Sequence, residues 1–436
     1  MLGYYLRLSL HSLCGRPVMT GLMVAAIALG IGVSMTMLTV LHNLSGNPLP
    51  QRSGVLFHPQ VDPRPRDLPG ADPEPPDGLT YLDAVNLYHL QAAPRRVLTS
   101  ANWLPVRADA PGTALAMKTT RATTRDLFGM FDVPFLYGSA WSQADDDAHA
   151  QVVVLSRALN DALFAGADSV GRTVLIATRL FKVVGVIDDW NPQPRFYDLG
   201  GGAYAKPVEL LMPFFTWLDL PQDYGYGKMQ CWGSNRGAGD HDPKAPDCSW
   251  IQLWAELPDA AAVSAYDRAL VNYSAQQHAH GRFERAPNTR LRGLLEWLDH
   301  KRVVPATVRM QTWIALGALA VCLVNIVGLL VAKFLRRSGE IGVRRALGAT
   351  RGTIFAQCLT EAGLIGLLGG VFGVAMAYGG LWLVRQQPAS YAALARMDVS
   401  MLGVSLAAAI GAALAAGLWP AWRAASIAPA LQVKSL

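Results

Sequence analysis

The sequence predicts a membrane protein with four transmembrane α-helices, arranged one plus three, and a large extracytoplasmic α+β domain inserted between helices 1 and 2. Three observations predict it. Hydrophobic residues fill 51% of the 436 positions and charged ones only 16%, fewer charges than a soluble domain carries. Four uncharged runs, 18–41, 310–332, 362–384 and 399–422, reach the roughly 20 helical residues that cross a bilayer core about 30 Å thick. Lys and Arg crowd into the short segments at one side of those runs: Arg7 and Arg16 before the first; Lys333, Arg336, Arg337, Arg344, Arg345 and Arg351 between the second and third; Arg423 and Lys434 after the fourth. The positive-inside rule makes those segments cytoplasmic, and the link 385–398, with only Arg385 and Arg396, lies outside. The net charge of +6 is therefore assigned to membrane orientation and not to a nucleic-acid partner.

Taken in order, residues 1–17 read as a cytoplasmic amphipathic helix lying on the inner surface, with Tyr4, Leu8 and Ser12 along one line and Tyr5, Leu6, Leu10 and Leu13 nearby. Span 1 (18–42) follows basic residues as a signal peptide does. Its apolar core of 24 residues exceeds the roughly 7–15 of a signal h-region, so it is read as a retained anchor. The domain at 43–309 has no such run and reads as two subdomains. Its Pro-rich start, 48–77, is expected to be extended loop. Residues 79–90 read as a helix capped by Thr80, and 97–105 and 114–120 as strands. Residues 151–190 read as strand, helix and hairpin, with Ser156 as N-cap and Gly166 at the helix end. The second half, 210–298, opens on the apolar ELLMPF, continues through strand-like SWIQLWAEL and ends in a helix. The acidic run Asp145, Asp146, Asp147 is expected to be a solvated loop.

Cys14, Cys322 and Cys358 fall in or beside the membrane, whereas Cys231 and Cys248 form an isolated pair in the outside domain. An oxidising compartment permits a disulfide between them, worth about 3 kcal/mol in the chain-entropy model. A zinc site on Cys231, His241 and Cys248 lacks a fourth ligand, so no metal site is assigned. Nucleophile elbow, paired metal-binding histidines and Gly-rich phosphate loop with its Lys are all missing, so no catalytic residue and no enzyme activity are assigned.

The remaining segments are span 2 (310–333), a cytoplasmic segment (334–356), span 3 (357–384), the outside loop (385–398), span 4 (399–422) and a cytoplasmic tail (423–436). Within 334–356, Glu340 and Arg344 are spaced i, i+4 in the stabilising order, while Val343, Ala346 and Leu347 form an apolar stripe. This is a short surface helix with one face to bury, stopped by Gly348 and followed by a second helix capped at Thr350. The competing reading is a basic connector held at the headgroups by charge alone. In span 3, Gly363, Gly366, Gly369, Gly370 and Gly373 permit close helix approach. Glu361, near the cytoplasmic end, is assigned an interfacial role, reaching water or a nearby arginine; Asn325 in span 2 is a candidate interhelical hydrogen bond.

Three stretches resemble the MacB- and FtsX-type permeases of ATP-binding cassette systems: SGEIGVRRALGATRGTIFAQCLTEAGLIGLLGGVFGV, VVVLSRALNDALFAGADSVGRTVLIATRLFKVVGVI and the terminal PAWRAASIAPALQVKSL. The resemblance implies a bacterial inner-membrane permease with its large domain in the periplasm, working as a dimer with a second or paralogous copy on two ATPase subunits. It binds no cofactor itself; ATP and Mg²⁺ belong to the ATPase. MacB carries its nucleotide-binding domain in front, whereas this chain starts about 17 residues before its first span and has no Walker lysine, so a separate ATPase polypeptide is expected. The pattern and the resemblance together single out Glu340, Ile341, Val343, Arg344, Arg345, Leu347 and Gly348 as ATPase-coupling residues. The expected function is export of a peptide, antibiotic or lipophilic substrate with an adaptor and an outer-membrane channel. The alternatives are a lipoprotein-handling or peptide-sensing member of the family, or a non-transporting signalling receptor.

Overall fold

The computed structural model describes residues 17–68, 70, 72–108, 115–221, 227–232 and 242–426. The expected surface helix at 1–17, His241 and the tail beyond 426 lie outside them. Two compact units divide the described chain: 17–45 with 304–426, and 46–303.

The first helix is α1 (Pro17–Ser45). The 46–303 unit follows, with β1 (Leu56–Val61), β2 (Leu79–Thr80), α2 (Tyr81–His89), β3 (Arg95–Ala108), β4 (Ala116–Thr123), α3 (Asp126–Met130), β5 (Phe135–Gly138), α4 (Gln143–Asp147) and β6 (Val152–Ser156). It continues through α5 (Arg157–Phe164), β7 (Thr173–Ile176), β8 (Arg179–Ile187), β9 (Leu210–Pro213), α6 (Phe214–Leu218), β10 (Gln230–Cys231), β11 (Cys248–Glu256), α7 (Ala260–Ala279), β12 (Thr289–Gly293) and α8 (Leu294–His300). The last helices are α9 (Ala306–Leu335), α10 (Ser338–Ala346), α11 (Arg351–Arg385) and α12 (Val399–Ser426). Helices α1, α9, α11 and α12 are long and apolar enough to span a membrane.

One hydrogen-bonded sheet runs β12-β1-β11-β3-β4-β9-β6-β8-β5, with β2 and β10 on β11 and β7 joining β3 to β8. Most pairs are antiparallel; β4 with β9 and β6 with β8 are parallel. Strands of the two sequence halves interleave, since β9 lies between β4 and β6 and β11 between β1 and β3. The strict period of two puts alternate residues into two cores. Val153 and Leu155 of β6, Leu98 of β3 and Leu253 of β11 enter one. Val152, Val154, Val97 and Trp254 enter the other, with Phe131, Phe196, Tyr197 and Trp297. A sheet buried on both faces explains why VVVL, residues 152–155, is continuously apolar.

Two expectations are corrected. The Pro-rich 48–77 segment contains β1, whose ladder to β11 is confined to Leu56 and Phe57, so Pro59 withholds no donor from that side. Its continuation is pinned by buried ion pairs: Asp62 takes Arg64 at 2.7 Å and Arg285 at 3.1 Å. The acidic run is not a solvated loop; it is α4, capped by a reciprocal Ser142–Asp145 box. Asp146 is buried there, accepting from Arg125 N at 2.7 Å and Trp141 Nε1 at 2.8 Å.

Candidate functional site

Helix α10 is short, and its charges are placed for its dipole: Glu340 in the first turn, Arg344 and Arg345 in the last. Glu340 Oε1 meets Arg344 Nη2 at 2.6 Å, one turn on. Gly348, at φ 101°, ends the helix in a left-handed conformation that a side chain would strain. Gly348 N then donates to Arg345 O at 3.1 Å and Ala349 N to Arg344 O at 3.0 Å, the double bond of a Schellman cap. Two residues later Thr350 accepts from Thr353 N and starts α11.

The polar face of α10 is tied to the spans. Arg344 Nη1 donates to Gln357 Oε1 at 3.1 Å, and Arg337 joins Glu340 at 3.1 Å to Glu361 at 3.3 Å. Glu361 also lies 2.6 Å from Lys333 Nζ of α9. The ammonium is poorly aligned for a hydrogen bond with that carboxylate, so charge holds the pair. Lys333 and Glu361 are both fully buried, so Glu361 does not reach water, but it does pair with a nearby arginine, Arg337, as the sequence suggests. One chain of charges thus links α9, α10 and α11. From the sequence Lys333 counts only as a positive-inside charge; the signal for its pairing is one charge at the same end of each of two successive apolar spans.

The apolar residues of α10 divide. Ile341 packs inward, whereas Val343 is 48% and Leu347 83% exposed, and Ala346 is exposed beside them. The Val343, Ala346, Leu347 stripe therefore has no cover within the described chain. Arg345 reaches Ala425 O of α12 at 3.5 Å.

Around this site the spans pack through glycine. A Cβ at Gly369 would lie 2.5 Å from Ile27 Cγ2 of α1, and at Gly366 or Gly370 it would lie 2.4 or 2.8 Å from Ala413 or Ala409 Cβ of α12. α11 therefore presents one glycine face to α1 and another to α12. Asn325 is a correction: it is exposed, because the buried line of α9 runs through Ile326, Leu330, Lys333 and Phe334. In the 46–303 unit, Cys231 and Cys248 face each other across β10 and β11 and are bonded. Their 17-residue separation makes the link worth about 3 kcal/mol in the chain-entropy model.

Comparison with known families supplies the decisive observation. A MacB-like periplasmic core domain matches residues 20–273, more than half of the chain, and an FtsX-like permease C-terminal domain matches 313–429. The chain belongs to the MacB/FtsX-type permease family. The permease is 25% identical over 316 residues to the macrolide export ATP-binding/permease protein MacB of Neisseria meningitidis serogroup A, covering 70% of this chain and 43% of that protein. It is 25% identical to the pyoverdine export ATP-binding/permease protein PvdT of Pseudomonas fluorescens, covering 84% of this chain and 50% of that protein. It is 26% identical to the uncharacterized ABC transporter permease YvrN of Bacillus subtilis, covering 58% and 55%. The permease thus spans about half the length of the curated relatives it matches. The second match encloses the whole α10 site and both α11 glycine faces.

Proposed function

We propose that this permease seats an ATPase on α10 and transmits ATP-driven closure to its 46–303 unit on the far side of the inner membrane, exporting a peptide, antibiotic or lipophilic substrate. The uncovered stripe carries the reading: Val343, Ala346 and Leu347 lie exposed side by side on a capped, ion-paired helix and together offer a partner an apolar face. The Lys333–Glu361–Arg337–Glu340 chain is the transmission, since it ties the seat to α9, and α9 is one of the two tethers of the inserted unit. The other tether, α1, is joined to α9 by Ser34 Oγ donating to Ala315 O at 3.0 Å. In this reading ATP and Mg²⁺ are bound by the ATPase that α10 seats, whose phosphate loop is not among these 436 residues. Periplasmic placement of the large unit is supported by the Lys and Arg bias of the connecting segments and by the disulfide. Relatives named for macrolide and pyoverdine export support export over lipoprotein handling, peptide sensing or kinase signalling. A second permease copy, a periplasmic adaptor and an outer-membrane channel complete the assembly in this reading.

The test is the double variant Arg344→Ala, Leu347→Glu. It is expected to insert normally, to lose co-purification of the ATPase and to lose ATP-dependent export. Export at the wild-type rate overturns the coupling role, and recovery of a kinase without any ATPase overturns transport.

A further inference from the structure

The 46–303 unit carries a cleft that coupling does not use. It opens where the parallel neighbours β6 and β8 end side by side, at Ser156 and Ile187. Its walls are the start of α5, residues 187–191 after β8 and residues 206–209 before β9. The volume is about 500 Å³, inside the roughly 300–1,000 Å³ of small-ligand sites. The apolar part of its lining is Ile187 and Val208, both buried, with the half-buried ring of Trp190. Tyr197 stacks on that ring at 5.3 Å and 16°, and Phe131 on Tyr197 at 5.9 Å and 24°. The indole is therefore held at the end of a three-ring stack.

Most charges at the cleft brace its walls. Arg157 pairs with Asp188 and ties α5 to the segment after β8. Glu209 meets Lys118 Nζ at 2.9 Å and accepts from Thr119 N at 3.0 Å, which ties the approach to β9 onto β4. Lys206 and Asp189 remain. Both are exposed on the lining, and neither side chain has an ion-pair partner among the described residues, the other included. A lone anion would suit Lys206 and be repelled by Asp189, and a lone cation the reverse; a purely apolar molecule would desolvate both charges unmatched. Among the described residues no three of His, Cys, Asp and Glu gather as metal ligands, so the acids here do not form a metal site. The complement of this lining is a molecule with a carboxylate, an amine and an apolar group. The cleft also continues onto an exposed apolar strip: Thr119 in its wall pairs across the ladder with Trp103, and Pro105 with Met117. Trp103 is 43% and Met117 57% exposed, so a ligand longer than one residue has apolar surface to follow.

We propose that this cleft binds a short peptide, a zwitterion with an apolar side chain, its carboxylate on Lys206, its amine on Asp189 and its apolar group on Trp190. That the bound peptide is the cargo rests on the export reading; that it binds does not. Saturation-transfer difference NMR on the full chain in phosphatidylcholine nanodiscs, without ATPase, tests it. The probes are the tripeptide Ala-Phe-Ala with free ends, its N-acetylated form, its C-amidated form, and Ala-Ala-Ala. The free Ala-Phe-Ala is expected to saturate in about the 0.1–1 mM range. Blocking either end is expected to weaken it about two- to fivefold, the worth of one exposed charge pair, and Ala-Ala-Ala to bind more weakly still. Lys206→Ala is expected to bind the free and amidated peptides alike, and Asp189→Ala the free and acetylated ones alike. Both substitutions are at exposed positions and leave the braced walls in place. Absence of saturable binding, equal binding of free and blocked peptides, or unchanged selectivity in the two variants overturns the site. None of those outcomes touches the export reading, which the Arg344, Leu347 variant tests by itself.

Discussion

A lysine buried in an apolar span is tolerated only if its charge is met, and at Lys333 Glu361 meets it. Removing one member of such a pair leaves an unpaired buried charge and costs about 3–5 kcal/mol, whereas replacing both by apolar groups is often neutral. Glu361→Gln and Lys333→Met are therefore each expected to lower the amount of folded permease. The double variant Lys333→Met, Glu361→Leu is expected to recover folding but not export, because the link from Arg337 into α11 is gone. Fluorescence-detected size exclusion reads the first quantity and substrate efflux the second; full export by the double variant would reduce the pair to a packing device. Asp146 offers a test with a definite sign. Burial raises its carboxyl to about 6, against the hydrogen bonds from Arg125 N and Trp141 Nε1, which favour the ionised form. The folded state then holds the proton more tightly than the unfolded one. This contribution is fully present below about pH 4 and is lost as pH rises through 6, at most about 3 kcal/mol. Asp146→Asn is expected to flatten that fall in the unfolding profile of the full chain between pH 4 and 6, followed by near-ultraviolet circular dichroism.

Helix α11 shows how an element's two faces serve two neighbours. Gly369→Ala would push a methyl to 2.5 Å from Ile27, whereas Gly379 has no atom within 4 Å of the same added group. Overpacking of this kind costs about 1–3 kcal/mol. Gly369→Ala is thus expected to lower the thermal midpoint of the detergent-solubilised permease and Gly379→Ala to leave it unchanged; equal midpoints would mean that α1 and α11 separate freely. The close approach was legible because repeated glycines in an apolar helix have few other uses. So were α10, which a Glu340–Arg344 pair and Gly348 delimit locally, and the strand, helix and hairpin from β6 to β8, where Ser156 accepts from Leu159 N as an N-cap. What sequence did not reveal is what depends on distant partners. Periodicity cannot say which way Asn325 faces when a helix is apolar all round, and the 27 residues between Lys333 and Glu361 hide that they touch. β1 was concealed by its own proline, whose local rule is set aside where a second ladder is not needed.

At the scale of the whole molecule the chain is a membrane unit interrupted once, between Ser45 and Val304, by the 46–303 unit. Any force reaching that unit through the chain must enter by α1 or α9, and α9 is the helix that Lys333 clamps to the α10 site. The scheme requires the seat and the inserted unit to lie on opposite sides of the membrane, which the distribution of Lys and Arg predicts. Leu347 on α10 and Leu180 on β8 are exposed positions at which a reporter thiol leaves the fold intact, and a cysteine keeps the Leu347 position apolar. In a background with Cys14, Cys322 and Cys358 replaced by Ser, and the bonded Cys231–Cys248 pair left in place, Leu180→Cys is expected to react with an impermeant maleimide in spheroplasts. Leu347→Cys is expected to react only in inverted vesicles, and to be shielded there once the ATPase partner is added. Labelling of both thiols from one side would remove the opposition that transmission needs. Opposite labelling without shielding, in a Leu347→Cys variant that still exports, would keep the topology and move the ATPase seat off α10, because an uncovered position 347 in a working complex has nothing to push.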